Sequence, residues 1–180
     1  LPISHDEVVY GKGSLLTKMP GDEWKKLAGV RNFVSYMIAH PGKKLMFMGS
    51  ELGQANEWNS NNQLEWWLLQ REENKKLNDF FKAINRFYKE TPAMHENDYD
   101  WNGFRWISLD DRANSIIAFR RIALNGDEVI CVCNFQPVPR ENYRIGVPAL
   151  GVYKEVFNSD STEFGGSGVC NIGDIPSENI

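Results

Sequence analysis

Three cysteines in 180 residues are too few to build a disulfide framework. Cys131 and Cys133 stand two apart, so on a strand they share a face and lack the geometry of a simple bridge; Cys170 is left over. An odd count without a framework argues for a reducing compartment, and the chain is expected to be cytoplasmic. No Cys/His spacing of a zinc site is present, so no metal is expected. Basic blocks are also missing. With 20 Lys and Arg against 24 Asp and Glu the net charge is −4, which offers no footing for nucleic acid or an anionic membrane. The apolar runs are too short to span a bilayer, and the N-terminal residues do not read as a signal peptide. Aromatic rings, by contrast, are plentiful, with six Trp and ten Phe. Such rings either fill a core or offer flat apolar faces to a ligand.

The most informative stretch is LPISHDEVVYGKGS, residues 1–14. Leu1 and Ile3 give it an apolar entry, His5, Asp6 and Glu7 follow in a row, and Gly11-Lys12-Gly13 forms the exit. This reads as a strand that ends and hands polar groups to a cleft. A His-Asp pair there suits a hydroxyl-rich ligand: the carboxylate can face developing positive charge and the imidazole can hydrogen-bond a hydroxyl. The same letters also fit a polar strand end with no chemistry.

Residues 10–20 read as a Gly/Ser/Lys-rich loop closed by Pro20-Gly21. Asp22 is a good N-cap for a helix from about Glu23 to His40, carried by Trp24, Leu27, Val30 or Arg31, Val34, Met37 and Ile38 at helical spacing and stopped by Pro41-Gly42. Leu45–Met48 is a continuous apolar run of the kind found in strands buried on both faces. Strand, helix, strand is a parallel βαβ unit. A polar loop, residues 49–70, is rich in Asn, Gln and Glu and is punctuated by Trp58, Trp66 and Trp67. Trp58, between Glu57 and Asn59, is the better surface candidate, and at least one of the adjacent pair Trp66 and Trp67 is expected to be structural. A second helix, about Glu72 to Glu90, has the apolar stripe Leu77, Phe80, Phe81, Ile84, Phe87 and Tyr88, expected to be core, and Thr91-Pro92 ends it. These repeats amount to a quarter of a TIM-type barrel.

Beyond residue 92 helical periodicity gives way to short alternating strands, expected at Phe104–Leu109, Ser115–Ile122, Glu128–Phe135, Asn142–Val147 and Val152–Asn158. Asp110–Asn114 and Asn125-Gly126 carry turn chemistry. Val129, Cys131, Cys133 and Phe135 share one face of a strand expected to be central in a two-layer sandwich. Gly165-Gly166-Ser167-Gly168 lacks the Lys-Ser/Thr ending and following helix of a phosphate loop, so that reading is rejected. The fold class is thus α/β followed by all-β: residues 1–92 as the last βα units of a (β/α)8 barrel, and residues 93–180 as an antiparallel β-sandwich.

SHDEVVYGKGSLLTKMPGD followed by HPGKKLMFMGSELGQ, and then EWN, LEWWLL, VCNFQPVPR, YRIGVP and FGGSGV, resembles the bacterial glycogen branching enzymes of the alpha-amylase superfamily over nearly the whole chain. The chain has no initiator Met and looks like the C-terminal piece of a longer enzyme. The resemblance implies an α-glucan substrate such as glycogen or amylose. The reaction is cleavage of an α-1,4 linkage and transfer of the segment to a 6-hydroxyl, with no metal or organic cofactor. It makes Asp6 the third acid of the site, stabilising the transition state, and His5 a hydrogen-bonding partner of a sugar hydroxyl. Tyr10, Glu51, Gln54 and Trp58 are the substrate-binding candidates. The nucleophile and the acid/base have no counterpart here, so the fragment is expected to be inactive alone. Tyr10 stands where bacterial members usually place His, Ser50 where they place Asn, Leu52 where they place Phe, and Glu65 where they place Asp. Two alternatives remain: another superfamily hydrolase, trehalose-releasing or debranching, and a non-catalytic glucan-binding module. A barrel quarter also exposes apolar strand edges. The isolated chain is expected either to self-associate through residues 1–90 or to repack its helices against the sandwich.

Overall fold

Asp22 accepts the Lys25 backbone N–H through its carboxylate at 2.9 Å, and this cap starts a helix at Glu23–Ala39. In the computed structural model, which describes residues 3–179, this helix is α2. It follows a short helix, α1, at Leu15–Lys18, capped by Ser14 and lying inside the stretch expected to be loop. The expected second long helix is α3, Glu72–Glu90, which buries Leu77, Phe80, Phe81 and Ile84. Full burial of each of those side chains contributes on the order of 1.5–3 kcal/mol.

Among the described residues neither of the two expected barrel strands is formed. Leu1 lies outside the described residues. Ser4, whose side chain accepts the Asp6 N–H, turns His5–Glu7 into a 3-10 turn instead. Leu45–Met48 is extended and forms no strand among the described residues; a hydrogen bond from Ile3 N–H to the Leu45 carbonyl at 2.8 Å holds the two segments side by side. A parallel strand is completed by neighbours on both edges, and that local apolar run cannot supply them.

Strands β1 (Phe104–Asp111), β2 (Ile116–Ile122) and β3 (Glu128–Asn134) form an antiparallel sheet in the order β1-β2-β3. The central strand is therefore β2, and the Glu128–Phe135 segment expected at the centre lies at an edge. Register pairs Trp106 with Phe119 and Phe119 with Cys131, while Ile117 faces Cys133. The face carrying these side chains packs against α2, not against an opposing sheet. Tyr36 of α2 and its C-cap His40 meet Phe119 edge-on at 6.2 and 6.3 Å between ring centroids. Asn32 reaches the Asn134 carbonyl at 3.0 Å. Asn142–Val147 forms no strand, and Val152–Asn158 is reduced to β4, Val152–Tyr153, paired with β5, Ile175–Pro176. One apolar cluster joins Val34 and Phe80 from the helices to Phe119, Cys133 and Phe164 from beyond residue 92.

Candidate active site

Three titratable side chains in a row are divided by one local motif. Ser4-His5-Asp6-Glu7 is a capping box: both the backbone N–H and the hydroxyl of Ser4 donate to Glu7 Oε2 at 2.7 Å. The Ser4 hydrogen bonds hold the Glu7 carboxyl below the ordinary carboxylate range. Glu7 is thereby occupied as structure. His5 and Asp6 are left outward, with His5 Nε2 at 3.2 Å from Asp6 Oδ1 and both side chains more than half exposed. The Asp6 carbonyl also accepts Lys12 Nζ at 2.7 Å, which ties the pair to the glycine-flanked exit loop.

That exit loop is shaped by left-handed backbone: Tyr10 at φ +58°, Gly11 at +80° and Gly13 at +75°. Tyr10 is a non-glycine in this region and has its ring 91% exposed. The segment is stitched to the 49–65 loop twice. Trp58 N–H donates to the Val8 carbonyl at 3.2 Å. The Glu57 carboxylate accepts the Gly13 N–H at 2.6 Å and the Gly11 N–H at 3.1 Å. Those two backbone donors, Gly13 first, hold the Glu57 carboxyl below its usual range.

The remaining candidates are placed differently. Glu51 bends its carboxylate back to the Gly49 N–H at 2.9 Å. Gln54 spans the loop, donating to the Asn56 carbonyl at 3.2 Å and accepting the Glu65 N–H at 3.4 Å. Trp58 is half-buried, its ring edge-on to Phe47 at 5.2 Å, and Phe47 stands 6.2 Å from the His5 ring. Trp58 therefore walls the cleft instead of standing out from it. The exposed rings are Trp66 and Trp67, both more than half accessible on the 3-10 turn Trp66–Gln70, where Leu68 takes the inward position. Neither of the pair is the structural plug that was expected of one of them. Gln54, Glu57, Trp58 and the exposed amides of Asn59, Asn62 and Gln63 line a cavity of about 390 Å³.

Two groups escaped sequence reasoning. The capping box was legible as Ser-x-x-Glu. The Glu57 clamp was not: 44 residues separate the carboxylate from Gly13, and only the pair of unfilled N–H donors in a Gly-Lys-Gly turn hinted at an anion there. Among the described residues no cluster of His, Cys, Asp and Glu is arranged to hold a metal ion, and no helix is long and apolar enough to cross a membrane.

Residues 106–180 match the model of the alpha amylase C-terminal all-beta domain. Over 175 residues the chain is 53% identical to the 1,4-alpha-glucan branching enzyme of Aromatoleum aromaticum, covering 97% of this chain and 28% of that protein. It is 50% identical over 180 residues to the enzyme of that name from Pseudomonas fluorescens strain Pf0-1, covering all of this chain and 24% of the relative. The counterpart in Synechocystis is 50% identical over 174 residues, covering 96% of this chain and 23% of the relative. The chain thus spans about a quarter of the length of the curated relatives it matches.

Proposed function

Because this chain belongs to the 1,4-alpha-glucan branching enzymes and matches their C-terminal part, we propose that it supplies one rim of a glucan branching site, with Asp6 as the acid that stabilises the glycosyl transition state. The whole enzyme on this reading cuts an α-1,4-glucan and passes the segment to a 6-hydroxyl. Such a transfer runs through a sugar cation, and a carboxylate close to the forming charge lowers that barrier. Asp6 is the carboxylate free to do this. Glu7 is held by Ser4, Glu51 by Gly49, and Glu57 by Gly11 and Gly13. The imidazole of His5, 3.2 Å from Asp6, can donate to a sugar hydroxyl or to the carboxylate. The exposed Tyr10 ring and the amide-lined cavity beside Trp58 are the surfaces that receive the flanking glucose units. The nucleophile and the acid/base belong to other strands of a barrel whose final βα units are residues 1–92, so the 180 residues alone do not complete the reaction. The compartment is the cytoplasm.

The observation that carries the reading is the freed, outward His5–Asp6 pair beside three carboxylates already spoken for. In the intact enzyme, Asp6→Asn should lower kcat on amylose by at least about 100-fold, a loss of the size seen when one stabilising group is removed from a transition-state site. Melting temperature should be unchanged. A variant retaining more than about a tenth of the branching rate, measured by linkage analysis of the product, would remove Asp6 from the mechanism.

A further inference from the structure

Glu57 stands one residue before the tryptophan that walls the cleft, and its carboxylate is shared between two backbone donors of the 8–14 segment. Gly13 N–H reaches Oε1 at 2.6 Å and Gly11 N–H reaches Oε2 at 3.1 Å. The segment carries Tyr10 in a left-handed conformation that is strained for a non-glycine residue. Such a conformation persists only where the surroundings impose it. The turn is closed locally by the Lys12 N–H on the Val9 carbonyl at 3.3 Å and by Lys12 Nζ on the Asp6 carbonyl; it is tied from outside by the Glu57 clamp, the Trp58 N–H to the Val8 carbonyl, and Lys18 Nζ on the Lys12 and Gly13 carbonyls. Glu57 is the one that bridges both ends of the Gly-Lys-Gly turn.

We propose that Glu57 is a positioning residue for substrate: its two-pronged grip on Gly11 and Gly13 holds the left-handed turn that presents the Tyr10 ring, and so sets glucan affinity without touching the reacting atoms. The proposal rests on the reading that Asp6 and Tyr10 face the glucan. Glu57 itself has little left to offer a sugar, since each carboxylate oxygen already accepts a short backbone hydrogen bond. Gln has one acceptor oxygen where the carboxylate has two, so Glu57→Gln can hold one of the two N–H groups and Glu57→Ala neither.

The test uses the intact enzyme and two readouts. Hydrogen exchange of the peptide covering residues 8–14 reports the clamp; KM and kcat on amylose report the consequence. Glu57→Ala should speed exchange in that peptide and raise KM about tenfold while kcat stays within about twofold of wild type. Glu57→Gln should fall between, and Tyr10→Ala should raise KM with the clamp intact. Faster exchange with an unchanged KM would overturn the positioning role, as would unchanged exchange, or a kcat loss equal to the KM rise. If Glu57→Ala fails to fold, Glu57→Gln carries the same criteria. Failure of the underlying reading looks different: Asp6→Asn would then retain activity whatever the Glu57 variants do.

Discussion

Lys44 is a cation in a poor place for one. Its ammonium lies 5.6 Å from the centre of the Tyr88 ring and donates to the His40 carbonyl. Close by, Arg121 is fully buried, pairing with Asp98 and donating to the Ala39 carbonyl at 2.7 Å. Burial, only partly offset by Asp98, brings the Lys44 ammonium down to about 8. The folded chain therefore releases this proton about two units before the unfolded chain does, and between pH 8 and the ordinary lysine value of about 10.4 the unfolded state binds more protons. On this account stability rises with pH across that window. The two strand cysteines push the other way. Burial raises the thiols of Cys131 and Cys133 to about 12, so above pH 9 the folded state is the one that keeps its protons. The Lys44 contribution is thus read as a difference: wild type minus Lys44→Met should gain stability steadily between about pH 8 and 10, measured as urea midpoints at each pH. A difference flat across that range would show that Lys44 is solvated as an ordinary surface lysine.

The glycine run near the C-terminus is an element-scale answer to a residue-scale ambiguity. Read as letters, Phe164-Gly165-Gly166-Ser167-Gly168 invited a phosphate reading, rejected because the motif lacked its basic end. In the fold, the donors around the turn face an internal anion. Asp160 accepts the Ser167 N–H at 3.0 Å and the Val169 N–H at 3.3 Å through its carboxylate. Its carbonyl takes the Gly168 N–H at 2.8 Å. The closed turn inserts Phe164 against Phe80 and Phe157 at 5.7 and 5.9 Å between centroids. It also presents the Gly165 carbonyl to Trp24 Nε1 at 2.9 Å, while Arg31 Nε takes the Ser159 carbonyl at the same distance. A Cβ on Gly166 would fall 2.1 Å from the Asp160 carbonyl oxygen, so Gly166→Ala must open the turn that docks this segment on α2 and α3. The expected cost is about 1–3 kcal/mol in a denaturant melt. Gly151→Ala, where a Cβ meets nothing within 4 Å, should be near neutral. Equal results at both positions would show that the close approach to Asp160 is not what requires glycine at Gly166, since the entropy term by itself favours alanine at either site.

Over the whole molecule, what could be read from the sequence was whatever is decided locally. Asp22 and Thr91-Pro92 bound their helices because caps and prolines act within one turn, and Asn125-Gly126 made its hairpin because Gly126 sits at φ +91°. Neighbours decide the rest. Nothing in Glu128–Asn134 says that it ends at the sheet's edge, and nothing in Leu45–Met48 says that it forms no strand among the described residues. For the site, His5 and Asp6 were legible as a pair, whereas Glu57 needed the chain folded to meet Gly13. The same dependence on neighbours fixes what the isolated 180 residues should do. α2 is covered by the sheet, but Leu45 and Met48 each remain 50% exposed on an extended segment that forms no strand among the described residues. In a complete barrel such a segment lies between strands; alone it is an apolar edge that pairs with copies of itself. Light scattering after size exclusion should therefore find the isolated chain as dimers or larger at micromolar concentration. Leu45→Lys with Met48→Lys should return it to the monomer mass, because charge on an edge repels its own copy. A wild-type chain that elutes as a monomer would place the uncovered segment in the protein's own shelter and end the edge argument.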